Sequence, residues 1–139
     1  LTTSKLANAL RNEPVIKTQL EQLSGMNKTL FSVGSCLPRT HLLKSGIASR
    51  NDLDWYTKNG AVGIICGRFI DEKGNQVIGP LDERMIGVAL DQLKAAETGI
   101  LVISGQHKVE ATLAAINGDF VTHLILDEPT GKKLLKAST

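Results

Sequence analysis

The segment Ser104-Gly105-Gln106-His107-Lys108 joins an apolar run, Ile100-Leu101-Val102-Ile103, to a helix-forming stretch from Val109 to Ile116. The run is rich in β-branched residues and too short for a helix, so it predicts a strand buried on both faces. Val109, Leu113 and Ile116 recur at i, i+4 and i+7, which predicts a helix that starts at Lys108 and lays this face on the sheet. Such a strand–glycine–helix junction points unpaired backbone N–H groups, the positive end of a helix dipole and the Lys108 ammonium at one place. That arrangement suits an anion, phosphate above all. Gly105 removes a side chain where a ligand approaches the backbone, and Gln106 and His107 complete the loop. Lys108 is the leading ligand candidate, because a charge-assisted hydrogen bond to phosphate is worth about 1.5–3 kcal/mol. The same spelling also serves an ordinary strand-to-helix turn with a solvated lysine.

In an open parallel sheet the ligand crevice lies beyond the carboxyl ends of the strands. Gly34-Ser35, the Gly105–Lys108 turn and Asp127-Glu128 fall there. Asp127 reads as a helix cap rather than an acid catalyst. His41, His107 and His123 show no metal-ligand spacing with one another or with Cys36 and Cys66, so neither metal nor cofactor is expected. Cys36 could pair with a histidine as a nucleophile, yet nothing in the spacing brings the two together. Asp71 and Glu72 read as surface turn residues, and Trp55 and Tyr56 as packing. No catalytic constellation emerges, so a binding protein is expected rather than an enzyme.

These residues need elements to hold them. Thr3 or Ser4 can cap a short helix through Leu6 and Leu10, and Pro14 suits the first turn of a second with Ile16, Leu20 and Leu23 on one face. Lys28 to Val33 is a strand candidate ending at Gly34-Ser35. A short helix around His41 to Lys44 follows Pro38-Arg39. Asn51 or Asp52 caps the next helix, which stops at Asn59-Gly60. Ala61 to Ile70 reads as one strand with Cys66 inside it, Asp71 to Asn75 as a turn, and Gln76 to Ile78 as a short return strand. Arg84 to Val88 is ambiguous, Ala89 to Ala96 is helical, and His123 to Leu126 is a strand. Asp127 caps the last helix, with Pro129 in its first turn. This alternation predicts an α/β fold with a mostly parallel sheet covered by helices.

At 139 residues the chain suits one domain, and 42% hydrophobic with 22% charged residues is ordinary for a folded α/β protein rather than a disordered one. A net charge of +2, with scattered basic residues, argues against this segment gripping nucleic acid by itself. The two cysteines show no disulfide framework and read as reduced. No apolar run approaches a membrane span and no signal peptide is visible, so a cytoplasmic location and no membrane partner are expected. Asn27-Lys28-Thr29 is a glycosylation acceptor by spelling only. Because the chain begins at Leu1 rather than Met, it is read as a piece of a longer protein.

The stretch Gly60-Ala61-Val62-Gly63-Ile64-Ile65-Cys66-Gly67-Arg68-Phe69-Ile70-Asp71-Glu72-Lys73-Gly74 resembles a signature of the sugar-binding domain of SorC-family bacterial transcriptional regulators. That signature opens Gly-Ala-Val-Gly-Asp and closes Phe-Phe-Asp-x-x-Gly. Ile103 to Lys108 is similar to the family's Gly-Gly-x-x-Lys turn, Leu124 to Glu128 to its Leu-Ile-Thr-Asp-Glu strand end, and Ser32-Val33-Gly34 to a Gly-Ile-Gly strand end. The motifs stand in the family's order and span residues 13–136. The resemblance implies a three-layer α/β/α sandwich, phosphosugar-isomerase-like. It implies a phosphorylated sugar or related effector bound at strand ends, and a homo-oligomer. DNA would be bound only through an N-terminal helix-turn-helix absent here, and the chain would be the later part of the effector domain. Carried over by position, Lys108 and Gly105 match, and Gly34 and Gly63 keep backbone access. Three positions depart: Gln106 replaces a glycine, Ser32 replaces another, and Ile64 stands where the family usually has an acidic residue that accepts ligand hydroxyls. The alternative is a phosphosugar isomerase-like enzyme, for which Asp127, Glu128 and His107 are the candidate bases.

Overall fold

The computed structural model describes all residues from 1 to 139. The chain opens with α1 (Ser4–Asn12) and α2 (Pro14–Gln22), followed by β1 (Lys28–Phe31) and β2 (Val33–Ser35). Two helices, α3 (His41–Lys44) and α4 (Arg50–Lys58), precede the hairpin of β3 (Gly63–Ile65) and β4 (Arg68–Ile70). An irregular stretch with one 3-10 turn leads to α5 (Leu90–Lys94) and β5 (Thr98–Ile103). A further 3-10 turn (Gln106–Lys108), α6 (Val109–Asn117), β6 (His123–Leu126) and α7 (Glu128–Ala137) complete the chain.

The parallel sheet has the order β1-β5-β6, with Leu30 opposite Ile100 and Val102 opposite Ile125. A smaller antiparallel sheet, β2-β3-β4, stands beside it. The expected strand from Lys28 therefore breaks at Ser32, and the chain passes from one sheet to the other there. The hairpin strands are sandwiched. Val33, Ile65 and Ile70 pack with Leu101, Ile103 and the α6 alanines, whereas Ile64 and Phe69 pack with Leu53 and Tyr56 of α4. Helix, sheet and helix layers follow, as an α/β fold with two-sided burial requires.

Several boundaries differ from the sequence reading, each for a local reason. Ala61 to Ile70 is a hairpin, because Cys66 (φ 49°) and Gly67 (φ 81°) form a two-residue turn with both φ values positive, the type whose twist matches its strands. Cys66 thus sits exposed at a turn, not within a strand. The expected return strand at Gln76 is reduced to a single bridge with Ile70. Ser49, not Asn51 or Asp52, caps α4; Asp52 answers from the third helical position as the other half of a capping box.

Helix α6 corrects the expected apolar face. Val109 is buried as expected, but Ile116 is exposed and Leu113 half-buried, while Ala111, Thr112, Ala114 and Ala115 are fully buried. The helix lies so close over β3 that a Cβ on Gly63 would stand 2.8 Å from the Ala111 Cβ. Only small residues fit such an approach, so the larger ones turn aside. The strand β5 is also not buried on both faces. Leu101 and Ile103 are buried, but Leu30, Val102 and Ile125 share the other face at 73%, 40% and 56% exposure. This chain packs nothing onto that side of its parallel sheet.

Candidate functional site

Two strand ends build the site. The β5 junction turns at Gly105, whose φ of 112° is one that residues with a side chain rarely adopt. A Cβ there would also stand 2.6 Å from the His107 ring. The Gly105 amide is tied down: it donates to Thr130 Oγ1 at 2.9 Å and to Asp127 Oδ2 at 3.2 Å. Asp127 in turn accepts from the Thr130 amide at 2.9 Å and so caps α7. These bonds hold its carboxyl down at about 2, the Thr130 amide first, then the Ser104 and Thr130 side chains and the Gly105 amide. Asp127 is thus a fixed carboxylate that fastens the junction of β6 and α7 to that of β5.

Lys108 is not the first residue of α6 but its N-cap, at the end of the Gln106–Lys108 turn. Its amide donates to the Gly105 carbonyl at 3.0 Å. Of the four loop amides, those of Gln106 and His107 remain without a partner in the chain. The expectation of a fully free cradle from Gly105 to Lys108 is therefore halved.

The second strand end is β2. Gly34 and Ser35, the segment from Leu37 to Leu42, Ile64, Cys66, and His107 with Lys108 enclose a cleft of about 920 Å³. That is the size of a site for a small organic ligand. Arg39, His41, His107 and Lys108 supply every titratable nitrogen on its walls, and no Asp or Glu lines it. The Arg39 and Lys108 side chains make neither ion pair nor hydrogen bond within the chain, whose ion pairs are Arg68–Asp82, Arg84–Asp52 and Lys132–Glu128. Two cations without partners beside a carboxylate-free cavity attract anions.

The structure thus brings Gly34, Ser35, His107 and Lys108 together, and separates the other candidates from them. Gln106 lines a different surface, a shallow lysine-rich groove with Lys132, Lys133 and Lys136. Gly63 lies under Ala111, so its missing side chain serves the packing of α6 and not access to the cleft. Arg39 and His41 also line the cleft, though their spacing in the sequence does not single them out. The available signal was a cation four residues past the strand end at Ser35, in the region where open sheets bind ligands.

Nucleophilic and metal chemistry find little here. Burial, reinforced by Glu110, pushes the Cys36 thiol up to about 12, so it stays protonated at neutral pH. No three of the His, Cys, Asp and Glu side chains converge as metal ligands.

Residues 1–136 match a family model described as "Putative sugar-binding domain". The chain belongs to that family. It is 37% identical over 135 residues to an uncharacterized transcriptional regulator, YjhU, of Escherichia coli strain K12, covering 97% of this chain and 41% of the relative. It is 34% identical over 120 residues to the deoxyribonucleoside regulator of Bacillus subtilis strain 168, covering 86% and 38%. The chain thus spans about two fifths of these relatives. In fold it matches the full-length sorbitol operon regulator SorC of Klebsiella pneumoniae with a TM-score of 0.88 at 22% identity, over 97% of this chain and 43% of that one. At that identity the likeness to SorC shows the fold, a mixed α/β architecture, and the family stands on the match over residues 1–136. No helix is long and apolar enough to cross a membrane.

Proposed function

We propose that this chain is the effector-sensing part of a bacterial transcriptional regulator and that its cleft holds a phosphorylated sugar. The observation that carries this reading is the pair of unpartnered cations, Arg39 and Lys108, on a cleft without carboxylates. The phosphate accepts hydrogen bonds from the Lys108 ammonium and the Arg39 guanidinium, while the free His107 amide adds its dipole. Gly34 and Ser35 line the wall beside the sugar. The ligand favours one arrangement of a cytoplasmic homo-oligomer over another, which changes how helix-turn-helix modules elsewhere in the protein reach their half-sites. The names of the relatives support the regulatory role.

An isomerase needs a base beside a sugar C–H. Asp127 is a poor base because it is held ionised as a cap, and Glu128 is exposed and paired with Lys132. The test is calorimetric titration of glucose 6-phosphate, ribose 5-phosphate and the unphosphorylated sugars into the intact protein and Lys108→Ala. Phosphate-dependent binding that weakens roughly tenfold to a hundredfold in the variant is expected. Equal affinity of both proteins for every sugar would overturn the reading.

A further inference from the structure

We infer that the cleft selects a hydroxyl-poor phosphorylated sugar, one that presents a deoxygenated carbon to Ile64; this rests on the phosphosugar reading above. The charged groups of the cleft attract anions, but besides the Ser32, Ser35 and Thr40 hydroxyls its side chains offer sugar hydroxyls no carboxylate acceptor. Carboxylates accept two or more hydroxyl protons at once, and none lines this cavity. Its lining around Ile64 is instead apolar, with Leu37 and Leu42 beside it.

Ile64 is the residue that commits the site. It stands directly opposite Gly34 on one side and Phe69 on the other, so these residues share the face of the hairpin sheet that meets α4. Because Gly34 has no side chain, nothing on β2 screens Ile64 from the ligand; a Cβ there would lie 3.5 Å from the Ile64 Cβ. The Ile64 side chain cannot swing away, since it is packed among Ala48, Leu53 and Phe69. A sugar hydroxyl set against it loses its water and gains no acceptor, whereas a methylene at the same place gains apolar contact.

The experiment pairs sugars that differ by one hydroxyl: ribose 5-phosphate with 2-deoxyribose 5-phosphate, and glucose 6-phosphate with 2-deoxyglucose 6-phosphate. Each is titrated into the intact protein and into Ile64→Asp, Ile64→Thr and Lys108→Ala. At least one deoxy sugar is expected to bind the intact protein about tenfold tighter than its partner. Ile64→Thr, which keeps the branched shape and adds an acceptor, is expected to reduce that preference, and Ile64→Asp, where it folds, to reverse it. Equal affinity within about twofold in both pairs, or preference for the hydroxylated members, would overturn the inference while leaving the phosphate site standing if Lys108→Ala still weakens binding. Binding that is unaffected by Lys108→Ala, or no binding of any of the four, would instead overturn the phosphosugar reading and this inference with it.

Discussion

Replacing Gly63 by alanine places a methyl carbon 2.8 Å from the Ala111 Cβ, 3.0 Å from the Ala111 Cα and 3.3 Å from Ile70 Cγ1. All three contacts are tighter than real Cβ atoms commonly make, and one is to backbone, so α6 must lift from β3. Overpacking of this kind costs about 1–3 kcal/mol. With a backbone atom in the way, we expect about 2–3 kcal/mol, or a fall in Tm of roughly 6–15 °C for a chain of this length. Ala111→Gly removes the closest contact but itself costs about 1 kcal/mol through helix propensity. The double variant should therefore be more stable than the sum of the two single losses by about 1 kcal/mol or more, measured by urea unfolding of all four proteins. Losses that add to within about 0.5 kcal/mol would refute the packing role of Gly63. A stable Gly63→Ala that no longer binds phosphosugars would return Gly63 to the ligand site.

Other expectations follow from the same contacts. Arg39→Ala should weaken phosphosugar binding roughly tenfold to a hundredfold, as read by calorimetry, without altering affinity for the unphosphorylated sugar. The Asp127 carboxyl is lowered from its ordinary 3.8 to about 2, so its contribution to stability is complete above about pH 4 and is lost as pH falls toward 2. Urea unfolding between those pH values should therefore show less acid sensitivity in Asp127→Asn than in the intact protein. Tyr56 donates to Asp82 Oδ2 at 2.6 Å and accepts from the Leu81 amide. Tyr56→Phe leaves that amide buried without a partner and should cost about 1–3 kcal/mol in urea unfolding. Cys66 is exposed whereas Cys36 is half-buried with its thiol pushed up to about 12, so iodoacetamide at pH 8 should label Cys66 first, as read by mass spectrometry.

Much of this was legible from residue types alone. The β5 junction announced itself because a β-branched run, a glycine and an amphipathic stretch occur in the order that a strand, a turn and a helix demand. Asp127 as a cap and the helix at His41–Lys44 were readable for similar local reasons. Elements decided by tertiary contact were not. The hairpin turn at Cys66-Gly67 is hidden inside an apolar run, since cysteine gives no warning of a positive φ. The buried face of α6 is Val109 with Ala111, Thr112, Ala114 and Ala115 because Gly63 draws the helix close, and helical periodicity weighted toward large residues finds Val109 but not the small residues after it. The Gly105 amide reads as free from local sequence because its acceptors, Asp127 and Thr130, lie more than twenty residues away. Arg39 enters the cleft only because the segment after β2 folds back over it, which no spacing encodes.

Two basic surfaces compete for any anion on this chain: the cleft of Arg39 and Lys108, and the open groove of Lys132, Lys133 and Lys136 on α7. Amide NMR of the assigned protein during titration with a phosphorylated sugar distinguishes them directly. Shifts concentrated at Gly34, Ser35, Arg39, His107 and Lys108 are the predicted result. Shifts confined to the α7 lysines would contradict it.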